Sequence, residues 1–544
     1  MTFSRKIIER RIGMLTKDEI LRSGDNDKIW QKYCGFLDLS LREFMEIQEH
    51  LLLDEIEMVT QSPLGKKIMK VVNPRSVEEF RQLVPLTTYD DYASYLGNCQ
   101  EDALAEKPCY WAHTSGKTGF FKWVPYTLGS LGRLADDTIS AFILSAAMRK
   151  GEVHIHEGVK VVHNLPPPPY TSGIIFLVVA QRISFQAFPP LEKSAGMQFQ
   201  ERIEEGFRMA LSAGLDFAGS LGVVLVKVGE SFSQLGRTTK LFRLALHPMA
   251  VFRLLRAIVK SRLAKRPMLP KDIWRVKGLV CGGTDTFIYR EQIVHYWGVQ
   301  PLDIYVATET GFIAMQGWNK KGMTFMPYSN FYEFIPEAEW LKSREDSSYQ
   351  PATVLLSEVK EGKLYELVIT NFHGMPFLRY RLGDLIRISS LKDDEIGVNL
   401  PQMVFQRRGD DIIDIAGFAR LDEKTIWQAI QNSSIPYEDW TARKEYRQSN
   451  PILRIYLELK ENRDSKEVER LIDEQLRTLD TDYNDMRNMI ELKPIVVSLL
   501  SKGTFHRYLQ EKETAGFDLA HLKPAHVNAP DAVIDDLRRL SQGS

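Results

Sequence analysis

Short apolar runs, spaced among segments of helical period, constrain this chain more than any other feature. The stretches "GIIFLVV" from Gly173, "VKGLVCGG" from Val276 and "PLDIYVATETG" from Pro301 read as strands buried on both faces, as in a parallel sheet. Their alternation with helical segments predicts an α/β fold, with ligand-binding loops at the carboxyl ends of the strands. Between residues 30 and 71 leucine, isoleucine and methionine recur at three- and four-residue intervals, as in "LREFMEIQEHLLLDEIEMV", predicting helices packed on a larger body. Over 323–388 the runs "FYEFIPEAEW", "LYELVITNF" and "DLIRIS" are separated by turn signals and predict a β-rich subdomain. Beyond the polar stretch 407–411 a small α+β unit is expected, with strands "LRIYLELK" and "ELKPIVVSL" and the helix "SKEVERLIDEQLRTLD" between them.

The stretch "HTSGKTGFFKWVPYT", starting at His113, brings Gly116, Lys117 and Thr118 together as a Walker phosphate loop does. A Walker loop also needs an earlier glycine so that its backbone can curl around a phosphate, and Trp111 holds that position. What remains is Thr114, Ser115, Gly116, Thr118 and Gly119, closed by Lys122, which describes a phosphate cradle of another kind.

Composition narrows the field. With 44% hydrophobic and 26% charged residues, 544 residues are ample for a buried core and more than one domain. A formal charge of -1 argues against a dedicated nucleic-acid binder. Cys34, Cys99, Cys109 and Cys281 form no CxxC pair, so neither a structural zinc site nor a disulfide framework is expected, and a reducing, cytoplasmic setting is. The first twenty residues lack the apolar core of a signal peptide, and no apolar run reaches the length of a membrane span. His154 and His156 alternate in "VHIHEG" on an expected strand, yet two histidines without a third ligand read as surface residues.

Five further motifs follow the glycine-rich loop in order: "CGGTD" from Cys281, "YVATETG" from Tyr305, "TNFHGMPFLRYRLGD" from Thr370, "RRGDDIIDIAG" from Arg407 and "GTFHRYLQEKETAGFDLAHLKP" from Gly503. Singly each has a bland explanation: Glu309 as a solvated glutamate, Asp384 as a turn residue, the "RYRLGD" arginines as water-facing groups of an edge strand, Lys523 as a surface lysine. Their order weighs more. The series resembles the adenylate-forming superfamily of acyl-CoA synthetases, peptide-synthetase adenylation domains and luciferases. It is more closely similar to the Gretchen Hagen family of auxin-responsive acyl-acid amido synthetases, through "VPLTTYDDY", "KWVPYT", "FYEFIP", "LRYRLGD" and the "GTF" before the final lysine.

That resemblance implies an α/β fold with a large N-terminal adenylate-forming domain over 1–406, carrying parallel sheets and the β-rich subdomain. A small mobile α+β C-terminal lid would occupy 412–544. It also implies ATP and Mg²⁺. A carboxylate is a poor electrophile, and activating it means bringing one anion to another, which demands cations and N–H donors arranged in advance. By resemblance, Ser115, Gly116, Thr118 and Gly119 would donate to the β- and γ-phosphates, with Lys117 and Lys122 adding positive charge. Glu309 would hold Mg²⁺, and Thr308 would bond the α-phosphate. Gly282, Gly283, Thr284 and the Tyr305 ring would line an adenine slot. Asp384 would accept from both ribose hydroxyls. Arg408 would sit near ribose or phosphates, and Lys523 would reach the reacting carboxylate.

Two departures stand out. Lys117 replaces a usual threonine and Phe121 a usual proline, neither removing a backbone donor. Lys523 is followed directly by Pro524, where the family has one residue between them, so Lys502 is the alternative lysine. The expected activity is amide synthesis from a carboxylic acid and an amine, probed against an acyl-CoA ligase with a thiol acceptor. A reading of another class rests on 231–271, which has no acidic residue: a basic helix at 243–266 places Phe252, Leu255, Ile258, Val259 and Leu263 on one face, suited to an anionic membrane or a partner.

Overall fold

The computed structural model describes residues 15–70, 72–114, 122–194, 196–235, 247–283, 286–346, 348–409, 412–447, 450–490, 493–514 and 526–542. The chain forms two compact units, Met1–Arg407 and Arg408–Ser544.

The first unit opens with the helices that the three- and four-residue spacing predicts, among them Asn26–Cys34 and Leu41–Val59. The second of these starts on a capping box, Ser40 Oγ accepting from Glu43 N while Ser40 N donates to the Glu43 carboxylate at 2.8 Å. Two strands, β1 (Tyr110–His113) and β2 (Trp123–Tyr126), form a separate antiparallel hairpin. Eleven more build one sheet: β3 (Val159–His163), β4 (Phe185–Phe188), β5 (Phe217–Leu221), β6 (Gly278–Gly282), β7 (Leu302–Ala307), β8 (Gly311–Gln316), β9 (Met323–Phe325), β10 (Asn330–Pro336), β11 (Leu364–Asn371), β12 (Tyr380–Ser390) and β13 (Gln402–Arg408). Their order is β10-β11-β12-β13-β9-β8-β7-β6-β5-β3-β4. From β4 to β7 neighbours run parallel, and β7 pairs antiparallel with β8 on its other side. The loops after β6 and β7 therefore emerge from the carboxyl ends of adjacent parallel strands, where an α/β sheet binds ligands. The expected β-rich subdomain is not a separate sheet: β9 to β12 continue the same one.

Two strand expectations are corrected. "GIIFLVV" lies inside the helix Thr171–Arg182. A short continuous apolar run carries no period, so burial alone cannot separate a strand from a buried helix. At the start of this helix a Cβ on Gly173 would lie 2.4 Å from the Pro167 carbonyl carbon and the Pro168 nitrogen. The residue is small to let the helix start against the proline loop. "VHIHEG" is no strand either: His154 pairs with Glu152 at 3.2 Å, and His156 Nδ1 lies 2.9 Å from the Glu157 carbonyl oxygen. The strand begins after it, at β3.

The helix Leu128–Ala146 follows β2 directly and is buried along most of its length. Thr127 caps it, accepting from Ser130 N at 3.1 Å and donating to the His373 carbonyl oxygen at 2.6 Å.

In the second unit β14 (Ile412–Ile415) and β15 (Ala419–Asp422) form a hairpin. A three-stranded sheet follows, β16 (Tyr437–Arg447) antiparallel to β17 (Asn450–Leu459) and β17 parallel to β18 (Ile495–Leu500). The predicted helix, Ser465–Leu479, stands in the crossover between β17 and β18, as a parallel pair requires.

Candidate active site

The glycine-rich loop is the connection of the β1–β2 hairpin. Its base is closed by Thr114 N donating to the Lys122 carbonyl oxygen at 3.1 Å. Ser115, Gly116, Lys117, Thr118 and Gly119 lie outside the described residues, as does Thr284. Lys122 places its Nζ 5.5 Å from the centre of the Tyr89 ring. Tyr89 is fixed in turn by β2: its hydroxyl accepts from Trp123 N at 2.7 Å and donates to the Trp123 carbonyl oxygen at 3.1 Å.

Thr308 and Glu309, both half-buried, occupy the tight turn between β7 and β8, which closes on Gly311 at φ +66°. Two side chains hold the turn's backbone. Tyr126, at the end of β2, donates its hydroxyl to the Thr308 carbonyl oxygen at 2.7 Å. Asn371, at the end of β11, donates Nδ2 to the Glu309 carbonyl oxygen at 3.0 Å and to Asn330 Oδ1 at 2.9 Å. Because the backbone is used this way, the Glu309 carboxylate is left to act elsewhere. Burial first, and the Glu309 charge among further causes, raise the hydroxyls of Tyr89 and Tyr126 above the usual phenol range. One carboxylate thus bears on both ends of β2, the strand that begins beside Lys122.

Beside this turn, β6 ends at Gly282, where a Cβ would meet nothing within 4 Å. Gly283 follows at φ +109°, a backbone conformation that calls for glycine, with its would-be Cβ 3.2 Å from Leu221 Cδ2. On β7 the Tyr305 ring meets Phe405 edge-on at 5.7 Å, and its hydroxyl donates to Asp384 Oδ2. Asp384 reaches Tyr305 through a bulge. Between the pairs Glu366↔Leu385 and Val368↔Arg381, one residue of β11 faces three of β12, and Gly383 takes φ +73°. That accounts for the glycine of "RLGD".

The arginines of "RYRLGD" do not face water. Arg379 forms a bidentate pair with the Glu333 carboxylate at 2.8 and 3.0 Å and donates to the Val84 carbonyl oxygen, while Arg381 forks onto Glu366. Both are structural pins of the sheet. A cavity of about 480 Å³ is lined by Leu51, Arg133, Asp136, Arg182, Tyr328 and His373 among others, and by none of the candidate site residues. Its cations are paired, Arg133 with Asp137 and Arg182 with Asp136.

Within the second unit, Arg408 is the last residue of β13. Lys523 lies outside the described residues, but the chain is anchored three residues later. His526 bonds Glu423 at 2.7 Å and Asp439 at 3.0 Å, with its ring stacked on Trp440 at 4.7 Å. Hydrogen bonding to Asp439, and next to Glu423, raises its pKa against the pull of burial. The alternative, Lys502, is exposed and precedes Gly503. Glu458 caps the helix that begins there, accepting from Gly503 N at 2.5 Å and from Phe505 N at 2.9 Å.

Sequence reasoning named Lys122, Thr308, Glu309, Tyr305 and Asp384 and passed over Tyr89, Tyr126, Asn371 and Glu458. All but Glu458 lie inside the quoted motifs; nothing in a single sequence marks an aromatic or an amide as the clamp of a distant turn.

Comparison with known proteins matches three stretches of the chain: the GH3 family N-terminal domain over 34–165, its central domain over 323–408 and its C-terminal domain over 423–530, together more than half of the residues. The chain belongs to the GH3 family. Among curated GH3 relatives it is 25% identical over 294 residues to a jasmonoyl–L-amino acid synthetase, GH3.5, of Oryza sativa subsp. japonica, covering 49% of this chain and 48% of that protein. It is 30% identical over 157 residues to an indole-3-acetic acid-amido synthetase, GH3.2, of Arabidopsis thaliana, covering 27% and 26%. The chain thus spans about half, or less, of the length of the curated relatives it matches. The solved AtGH3.15 acyl acid amido synthetase in complex with 2,4-DB shares its fold, with TM-score 0.52 over 95% of this chain and 96% of that one, at 16% identity. In this GH3 protein the hairpin, Asn371 and Asp384 fall inside matched stretches, whereas Gly282, Tyr305, Thr308 and Glu309 lie between them.

Proposed function

We propose that this GH3 protein activates a carboxylic acid as its acyl-adenylate with ATP and transfers the acyl group to an amine, an amino acid. One observation supports this most: the turn bearing Glu309 is bonded to the far end of the very strand whose near end closes the glycine-rich loop. A phosphate cradle and a carboxylate are thereby held to one rigid frame, as chemistry between two anions demands.

In the first step a carboxylate oxygen attacks the α-phosphorus and the bond to pyrophosphate breaks. In the second the amine nitrogen attacks the acyl carbon, AMP leaves and the nitrogen loses a proton. Lys122 and the backbone of the loop would offset phosphate charge. Tyr305 and Asp384 would bound the nucleoside, the Asp384 carboxylate exchanging the Tyr305 hydroxyl for those of the ribose. Glu309 suits Mg²⁺ as a hard, half-buried carboxylate on a clamped backbone. Among the described residues no group of three His, Cys, Asp or Glu could hold a metal alone, which fits an ion that brings phosphate oxygens with it. Such an ion would supply charge neutralisation at the phosphates. The region 412–544 would act as a lid, delivering Lys523 to the first step and withdrawing it for the second. No described helix is long and apolar enough to cross a membrane, and the four free thiols suit a reducing, cytoplasmic setting.

The test is to supply the purified protein with a library of carboxylic acids and ATP and to follow pyrophosphate and AMP release with either mixed amino acids or CoA. Amide product with amino acids is expected; turnover that requires CoA instead would establish a ligase with a thiol acceptor.

A further inference from the structure

The basic helix expected from the sequence exists, as Pro248–Leu263, and it carries large apolar side chains on its outward face. The face turned to the protein is small or single: Ala250, Leu254, Ala257 and Ser261 are its buried residues. The opposite face carries Phe252, Leu255, Val259 and Leu263, all exposed, Phe252 by 59% and Leu263 by 80%. At 100° per residue these four fall within about 80° of arc, directly away from the buried stripe. A solvated helix normally points charge outward, and scattered apolar residues need no explanation. A continuous outward apolar seam along about three turns does.

Charge indicates what the seam meets. The side chains bordering it are Arg256, Lys260 and Arg262, with Lys265 just beyond, and the sequence holds no acidic residue from 231 to 271. Arg253 and Arg256 are committed in part to the carbonyl oxygens of Leu211, Ser212 and Ile273, which dock the helix. Lys260, Arg262 and Lys265 take no part in that docking and are exposed. An apolar ridge between rows of cations complements a surface with anionic headgroups outside and hydrocarbon just beneath. The helix lies at 248–263, between the stretches matched by the family's N-terminal and central domains.

We infer that the helix Pro248–Leu263 is a docking surface for anionic lipid bilayers, with Phe252, Leu255, Val259 and Leu263 entering the headgroup–acyl boundary and Lys260, Arg262 and Lys265 resting on the headgroups. The full chain should co-sediment with phosphatidylcholine vesicles containing about a third phosphatidylserine at low ionic strength. Binding should weaken at least about tenfold on pure phosphatidylcholine, and likewise in high salt. Phe252→Ser with Leu263→Ser should weaken it about tenfold or more, as should Lys260→Gln with Arg262→Gln. These side chains are exposed, and an unchanged circular dichroism spectrum confirms the fold. Absence of binding to the anionic vesicles overturns the inference, as does binding that neither pair of substitutions alters. So does a wild-type oligomer, seen by light scattering, that Phe252→Ser with Leu263→Ser dissociates, because the seam would then belong to a second copy of the chain.

Discussion

Removing one oxygen from Tyr126 tests whether the Glu309 turn is held from β2. Tyr126→Phe keeps the ring, which is only 1% exposed, and deletes the hydroxyl that donates to the Thr308 carbonyl oxygen at 2.7 Å. A half-buried carbonyl left without its donor costs about 1–3 kcal/mol, more than the roughly 1 kcal/mol a neutral hydrogen bond contributes net. The turn is otherwise held by Asn371, whose Nδ2 reaches the Glu309 carbonyl oxygen at 3.0 Å, so it should shift rather than unfold. A displacement of the order of 1 Å at a positioned group costs up to about a hundredfold in rate. ATP–pyrophosphate exchange should therefore fall by about ten- to a hundredfold, carried mainly in kcat, while the melting temperature drops by only a few degrees. Combining Tyr126→Phe with Glu309→Gln should lower exchange little further than Glu309→Gln alone, because both act through one carboxylate. Full exchange activity in a destabilised Tyr126→Phe would refute the reasoning, as would strictly additive losses in the double variant.

Glu309→Gln should lose most exchange activity while remaining folded, since an amide is a far weaker ligand than a carboxylate for a hard dication; unchanged exchange would dismiss its proposed role. Lys523→Ala should impair adenylate formation yet leave transfer from a pre-formed acyl-adenylate nearly intact, measured by single-turnover assays of each half; equal slowing of both would turn attention to Lys502. Burial raises the Glu55 carboxyl from 4.5 to about 8, although it accepts from Gly374 N at 2.9 Å. With the folded value above the unfolded one, its contribution to stability is complete below about pH 4.5 and is lost as pH rises towards 8. Glu55→Gln, neutral throughout and still able to accept from Gly374, should flatten that part of the stability–pH profile and raise the melting temperature at pH 8; an unaltered profile would show that Glu55 is ionised in the fold.

How far the fold was legible depended on whether local pattern or tertiary packing decided each element. β6, β7, β11, β12, β17 and β18 were readable because apolar runs of strand length ended at glycine, proline or charged residues. β4 and β5, "FQAF" and "FAGSL", were not, since polar and small residues break their apolar signal. "GIIFLVV" misled because a short continuous apolar run carries no period, so burial alone does not separate a strand from a buried helix. The same divide runs through the site. Lys122, Glu309 and Asp384 carry chemistry in their own side chains and stand in recognisable motifs. Tyr89, Tyr126 and Asn371 matter only for what they touch, across separations of 34, 182 and 62 residues.

The connection from β5 to β6 joins two adjacent parallel strands, a task for which about a dozen residues are enough. Here it runs from residue 222 to 277 and includes the helices Gly222–Leu235 and Pro248–Leu263. Phe217↔Gly278 and Leu221↔Gly282 fix the strand register at both ends, whatever lies between. The exposed face of Pro248–Leu263 can therefore change its side chains without moving Gly282 or the strands beside it, so that where the molecule works can be altered separately from what it does.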